Sequence, residues 1–258
     1  MLRLTTLVSA LALTAAASMA EEIKVGVSPG EHAEIMEEVA KIAAPKGLEI
    51  DVVEFSDYVV PNQALADGDI QANSFQHQPY LDNQMKDRGF DLVTVGTTIT
   101  TPMGVYSDKI TSLDDLPEGG GMGIPNDPTN GGRALLVLQD LGLLKLAEGT
   151  GLTPTVLDIT ENPKDIRFQE LDAAQLPRSL ADLDAALINT NYALASGLNP
   201  KTDAIAMEKA DNPYVNVIVV QQGKQDEAWV KLLLEAYHSP EVKSFIEEKY
   251  QGSVLTSW

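Results

Sequence analysis

The chain has 258 residues, with 18 basic against 38 acidic residues and no cysteine. The missing thiols exclude disulfides, thiolate metal ligands and a cysteine nucleophile. A net charge of −20 also argues against nucleic acid as a partner, because binding it requires neutralising phosphates. The length suits one large or two modest domains, each able to bury its own core.

In chain order, residues 1–20 read as a leader. Arg3 precedes an apolar stretch from Leu7 through Leu13 to Ala17, and Ser18-Met19-Ala20 stands before Glu21. A positive start, a short apolar run and a small-x-small exit are the pattern of a cleaved secretory signal. The run is too short to span a membrane comfortably. Cleavage near Ala20 is expected to leave an exported, periplasmic protein that floats free, since no cysteine offers a lipid attachment point.

Ile23–Val27 alternates as a strand that Pro29-Gly30 ends, and Ile35, Val39 and Ile42 then predict an amphipathic helix. A strand over Leu48–Phe55, helices over Asn62–Ile70 and Pro79–Arg88, and a strand over Asp91–Gly96 follow. This alternation predicts a mostly parallel sheet covered on both faces. Pro102–Tyr106 reads as a further strand, and Ser112–Gly121 as a loop. A second block runs from Met122 to about Gly197. It holds a strand, a leucine-rich helix continuing to Leu141, Leu143 and Leu144, a strand near Thr155–Ile159 and a helix after Pro163. The strand Arg167–Leu171, a helix over Pro177–Leu183, the buried strand Ala185–Ile188 and a short helix Tyr192–Ala195 complete it. Val215–Val220 is a β-branched strand, and two C-terminal helices carry apolar stripes at Trp229, Leu232, Leu233, Ala236 and at Val242, Phe245, Ile246.

The expected fold is therefore α/β with two lobes, each a mostly parallel sheet flanked by helices, joined by two crossing segments. The first lobe takes residues 21–103 and 214–258, the second residues 104–213. Small ligands in such folds bind at the carboxyl ends of strands and between domains.

Three groups of residues could serve such a site. The turn Pro125–Arg133 lies between a strand and a helix, with Thr129 and Asn130 as candidate N-caps and Arg133 in the first helical turn. Free N–H groups and a helix dipole favour an anion there, and arginine adds a planar fork suited to a carboxylate. A surface arginine paired with a nearby aspartate is the alternative. The second group is Asn73-Ser74-Phe75-Gln76-His77-Gln78-Pro79-Tyr80, placed between two helices, with Tyr58 nearby. Rings at strand ends could wall a slot for a slender side chain, to which a thioether is suited; Phe75 and Tyr80 equally suit a core. Asn189, Asn191 and Asn216 form the third group, able to donate and accept from one side chain, or to cap backbone. Arg178 is a rival carboxylate binder. His77 has no partner at metal-ligand spacing, and neither a phosphate loop, a nucleophile elbow nor a zinc-protease motif occurs. No cofactor, metal or catalytic constellation is expected.

The chain resembles the exported methionine-binding receptors of ABC uptake systems over residues 23–258. The resemblance rests on Asp57-Tyr58 with Pro61-Asn62, Asn73–Asp82, Pro125–Arg133, Leu176–Leu180, Ile188–Tyr192 and Pro213–Asn216. It implies a type II periplasmic-binding-protein fold closing on methionine. It implies that Arg133 clamps the α-carboxylate, that Asn189 and Asn216 hold the amino and carboxylate groups, and that Tyr58, Phe75, His77 and Tyr80 line the side-chain pocket, with Asn130 beside them. The implied partners are methionine and an inner-membrane ABC permease and ATPase, with the receptor a monomer. Many members carry a lipid-bearing cysteine at the mature start, which this sequence lacks. A methionine derivative, a D-amino acid or a dipeptide is the alternative ligand, and an exported α/β enzyme the distant alternative function.

Overall fold

The computed structural model describes residues 20–258, so all but the last residue of the leader read in residues 1–20 lies outside the described residues. The chain first lays down β1 (Glu21–Val27), α1 (Glu31–Ala43), β2 (Leu48–Glu54), α2 (Val60–Asp67), β3 (Ala72–His77), α3 (Gln78–Arg88) and β4 (Leu92–Thr100). It then crosses into β5 (Gly104–Tyr106), β6 (Gly121–Pro125), α4 (Pro128–Asp140), β7 (Lys145–Leu146), β8 (Ile159–Glu161) and β9 (Arg167–Leu171). The second half of that block is α5 (Leu176–Ser179), β10 (Ala185–Ile188), α6 (Thr190–Ala195) and β11 (Ala206–Met207). A second crossing leads to β12 (Val215–Gln221), α7 (Ala228–Tyr237), α8 (Pro240–Tyr250) and β13 (Leu255–Thr256).

Two main sheets result. The first has the order β13-β4-β12-β3-β1-β2, the second β11-β5-β10-β6-β9, and β7 pairs with β8 in a small ribbon. In the first sheet β1 pairs in parallel with β2 and β3, while β12 is antiparallel to both β3 and β4. Thus β1 to β4 share one direction, and β12 and β13 oppose them. In the second, β10, β6 and β9 are parallel and β5 runs against β10.

The central strands of both sheets are buried on both faces. Along β12, Ile218 and Val220 join the core under α1 and α7, whereas Val217 and Val219 join the one under α2 and α3. Along β10, Ala185 and Leu187 pack with Leu135 and Leu138 of α4, and Ala186 and Ile188 with Leu176, Leu180 and Tyr192. Each such Val, Leu or Ile contributes roughly 1.5–3 kcal/mol on full burial, which explains why these strands read as continuous apolar runs.

Four local expectations are corrected. The segment Asn73–Tyr80 does not lie between two helices: Ala72–His77 is the fully buried strand β3, and α3 starts at Gln78. Its polar residues hid the strand, because Asn73 and Gln76 are satisfied against each other and Asn62 rather than facing water. Asn62 donates to Gln76 Oε1 at 2.8 Å, and Gln76 donates back to Asn62 Oδ1 at 2.7 Å and to Asn73 Oδ1 at 3.0 Å. No helix follows Pro163. The Asn162 side chain bridges the backbone N–H and C=O of Ile166, closing a turn instead. Thr155 opens a capping box onto a 3-10 turn, so only Ile159–Glu161 of that stretch is strand. Finally, α4 stops at Asp140, before Leu141, Leu143 and Leu144.

Candidate functional site

The helix α4 does not use Thr129 or Asn130 as its N-cap. Asp127 caps it, accepting from the Asn130 N–H at 2.9 Å, with Pro128 at the first helical position. Arg133 therefore sits in the second turn, where it escapes the repulsion a helix start exerts on a cation. Gly132 lets this turn pack tightly, since a Cβ there would stand 2.7 Å from the Leu152 carbonyl oxygen.

Arg133 is buried, and it is not paired with a nearby aspartate. Its Nε donates to Glu208 Oε1 at 3.0 Å and Oε2 at 3.1 Å, and its Nη2 donates to Glu208 Oε2 as well. Nη2 also donates to the Thr101 carbonyl at 2.8 Å, and the guanidinium lies 4.4 Å from the centre of the Tyr214 ring. Glu208 in turn accepts from the Met103 N–H at 3.0 Å. Thr101 and Met103 belong to the first crossing segment, Glu208 and Tyr214 to the second. One side chain thus holds both connections between the lobes through Nε and Nη2, and among the described residues its Nη1 makes none of these bonds.

Around this arginine lie the eight residues that the resemblance implies: Tyr58, Phe75, His77, Tyr80, Asn130, Arg133, Asn189 and Asn216 line one space between the two sheets. His32, Gln76, Thr101 and Asn191 complete the wall. Arg178 does not take part; it is exposed on α5, in a separate groove with Asp57 and Asp172. Among the described residues no cluster of three or more His, Cys, Asp or Glu could hold a metal ion.

The aromatic wall is a triangle. Tyr58, Phe75 and Tyr80 have ring centres 6.1 Å apart pairwise, and the Tyr80 hydroxyl donates to the Tyr58 carbonyl at 2.8 Å. Phe75 and Tyr80 are buried, so the core and cavity-wall readings hold together. His77 caps α3, its Nδ1 accepting from the Tyr80 N–H at 3.1 Å. The ring proton then resides on Nε2, which donates to Asn130 Oδ1 at 3.3 Å. Burial, and secondarily Arg133, lowers the His77 pKa to about 3, so the ring is neutral.

Asn130 organises the polar wall. Its Nδ2 donates to both Asp127 oxygens at 3.1 and 2.9 Å, which turns its Oδ1 toward His77 and toward Asn189 Nδ2 at 2.8 Å. Burial raises the Asp127 pKa, against the hydrogen bonds from Asn130 and Thr129. The Tyr58 hydroxyl similarly donates to Asn191 Oδ1 at 2.6 Å. These bonds leave the Asn189 Oδ1 acceptor and the Asn191 Nδ2 donor buried without a partner. Buried polar atoms are rarely left so, and a ligand carrying both a donor and an acceptor would satisfy them. The bonds from His77 to Asn130 and from Tyr58 to Asn191 cross from one lobe to the other, as does the bond from the Tyr192 hydroxyl to the Ser56 carbonyl at 3.1 Å. The lobes are closed on one another.

Sequence reading missed Glu208 and Tyr214 as parts of the site. Glu208 lies between a two-residue strand and an irregular crossing, where no periodicity marks a buried position. Tyr214, which packs edge-on against His77 at 5.0 Å, stands just before the strand Val215–Val220, in a crossing segment where its side chain had no evident role.

Comparison with known proteins places this arrangement among close relatives. The family model described as NlpA lipoprotein matches residues 23–258. The chain is 50% identical to the D-methionine-binding lipoprotein MetQ of Escherichia coli strain K12, over 92% of this chain and 88% of that protein. Among solved structures, a nutrient binding protein from Burkholderia cenocepacia bound to methionine superposes with a TM-score of 0.89 at 54% identity, covering 92% of this chain and 100% of that one. A crystal structure of the methionine binding protein MetQ superposes with a TM-score of 0.90 at 50% identity, over 92% of this chain and 98% of that one.

Proposed function

This chain belongs to the NlpA lipoprotein family, and we propose that it captures methionine between its two lobes and delivers it to an ABC transporter. The observation that carries the reading is the cavity itself. Beside a three-ring slot it sets a buried arginine whose Nη1 is not used on Glu208 or Thr101, an unpartnered amide acceptor and an unpartnered amide donor. An α-amino acid supplies what these groups lack, and the methionine-bound Burkholderia relative shares the fold at 54% identity.

In this reading Arg133 Nη1 binds the α-carboxylate, Asn189 Oδ1 accepts from the ammonium, and Asn216 bonds the same two groups. Tyr58, Phe75, His77 and Tyr80 surround the thioether, with sulfur–ring contacts contributing about 0.3–1.5 kcal/mol each. Asn130 acts through His77 and Asn189, fixing which atom each presents. The moving bodies are residues 21–103 with 214–258, and residues 104–213. The ligand touches both and stabilises the closed form, which the transporter would recognise.

The protein acts in this reading as a monomer in the periplasm, after removal of residues 1–20, and binds without turnover. Among the described residues no helix is long and apolar enough to cross a membrane. None of the 258 residues is a cysteine that could carry a lipid. Its transporter would be an inner-membrane permease with its ATPase.

Calorimetric titration with L-methionine and D-methionine, together with mass spectrometry of gently denatured protein, tests the proposal. Stoichiometric binding of either enantiomer is the expected result. Failure of both to bind, or a different molecule released on denaturation, would sink it.

A further inference from the structure

The cavity carries a charge arrangement that its lining alone does not reveal. Arg133 is the one permanently charged side chain in the wall, the rest being amides, hydroxyls, rings and two histidines. Both histidines are neutral, since burial lowers the pKa of His32 to about 4 and that of His77 to about 3. No carboxylate lines the cavity to meet an ammonium. Three buried carboxyl groups stand behind the wall: Asp127, behind Asn130 at the start of α4 and bonded by Thr129 and Asn130; Glu208, directly behind Arg133; and Glu31, 3.9 Å from His32, which burial keeps protonated by raising its pKa to about 8. Asp127 is compensated by the helix N-terminus it caps. Glu208 compensates the arginine.

We propose that Glu208 is a specificity determinant that acts through Arg133, balancing the cavity's charge so that it accepts a zwitterion and rejects the corresponding anion. The inference rests on the amino-acid reading of the site. Three of the guanidinium's contacts are to the Glu208 carboxylate, and the Glu208 backbone N–H is itself fixed by the Met103 carbonyl at 2.9 Å. With only 2% of the Arg133 side chain and 7% of that of Glu208 exposed, water screens neither charge. A neutral ion pair adds no net charge to a buried ligand, so a zwitterion completes a neutral set. An anion leaves one uncompensated buried charge, which is costly.

The test compares methionine with 4-(methylthio)butanoate, which is methionine without its amino group. Binding of methionine by the unaltered protein tests the reading beneath; the affinity ratio of the two ligands in variants tests Glu208. In Glu208→Gln the cavity becomes net positive, so the ammonium is repelled and the lone carboxylate is favoured. The preference for methionine is expected to fall by about tenfold or more. In Glu208→Asp, which keeps the charge, the preference should stay within about threefold of the unaltered value. Parallel losses for both ligands in Glu208→Gln would show that Glu208 is merely structural and overturn the proposal. If that variant does not fold, Glu208→Asp carries the test alone, because it keeps both the charge and the Arg133 clamp. A preference lowered about tenfold or more in Glu208→Asp, with the charge retained, would overturn it equally.

Discussion

Gly30 of the first lobe lies so close to Asn191 of the second that a Cβ on Gly30 would stand 2.5 Å from the Asn191 carbonyl oxygen. Its φ of +88° is one that glycine adopts freely and other residues rarely do. The backbone here is small for two reasons, its left-handed φ and the contact it makes across the closed cleft.

Gly30→Ala is expected to yield a folded protein that closes poorly. Circular dichroism should show native secondary structure, while methionine affinity falls by about tenfold or more, the cost of a local backbone strain plus a lost seam. Unchanged affinity would mean that this contact does not limit closure.

Arg133→Ala should abolish measurable methionine binding in calorimetry. It should also destabilise the protein by about 3–5 kcal/mol, because Glu208 is left buried and unpaired. Adding Glu208→Gln to it should recover much of the stability in denaturant titrations but none of the binding. Near-normal affinity in Arg133→Ala would refute its role as the carboxylate clamp.

Tyr58→Phe keeps the ring in the aromatic triangle and removes the 2.6 Å bond to Asn191. A net hydrogen bond contributes about 1 kcal/mol, so affinity should drop roughly fivefold. The loss should appear in the dissociation rate, since the bond exists only across the closed cleft. A change confined to the association rate would contradict this assignment.

Stability should peak near pH 6.5. Glu31 is buried with both carboxyl oxygens unpartnered, and burial raises its pKa to about 8. The titratable groups around it are Glu34 and His32 on its own helix, Tyr237 from α7, Tyr250 from α8, and Tyr58 and Tyr106. The folded state holds a proton on Glu31 that the unfolded chain releases above pH 4.5, so this group costs stability as pH rises to about 8. His32 and His77 have the opposite sign. The unfolded chain protonates them below pH 6.5 and the folded one does not until about pH 4 and 3, so stability falls as the solution turns acidic. Two histidines outweigh one glutamate below pH 6.5, and the glutamate acts alone above it. Denaturant midpoints measured from pH 5 to 8.5 should trace this maximum, and Glu31→Gln should flatten its alkaline side. An alkaline limb unchanged in that variant would refute the assignment to Glu31.

The sequence made legible what depends on repeated local patterns. Helix α1 and strands β1, β10 and β12 announced themselves through spacing and β-branching, and Arg133 through its turn. β3 was illegible because its stability comes from Asn62, Asn73 and Gln76 bonding one another, a tertiary fact with no periodic trace. The partner of Arg133 was equally hidden, 75 residues along the chain in a stretch with no regular structure. Sequence reading found most of the residues that line the cavity, and missed Glu208 standing behind Arg133.

The place of β12 has a consequence for how the molecule is made. It fills the gap between β3 and β4 and runs against both, yet it is reached only after residues 104–214 have been laid down. During synthesis the strands of the second sheet can pair as they emerge, from one continuous stretch of chain. The first sheet must wait with Ala72–His77 as an open edge, a surface that invites pairing with another chain. The lobe begun first is thus the last to be finished, and its central strand is the step on which productive folding competes with aggregation.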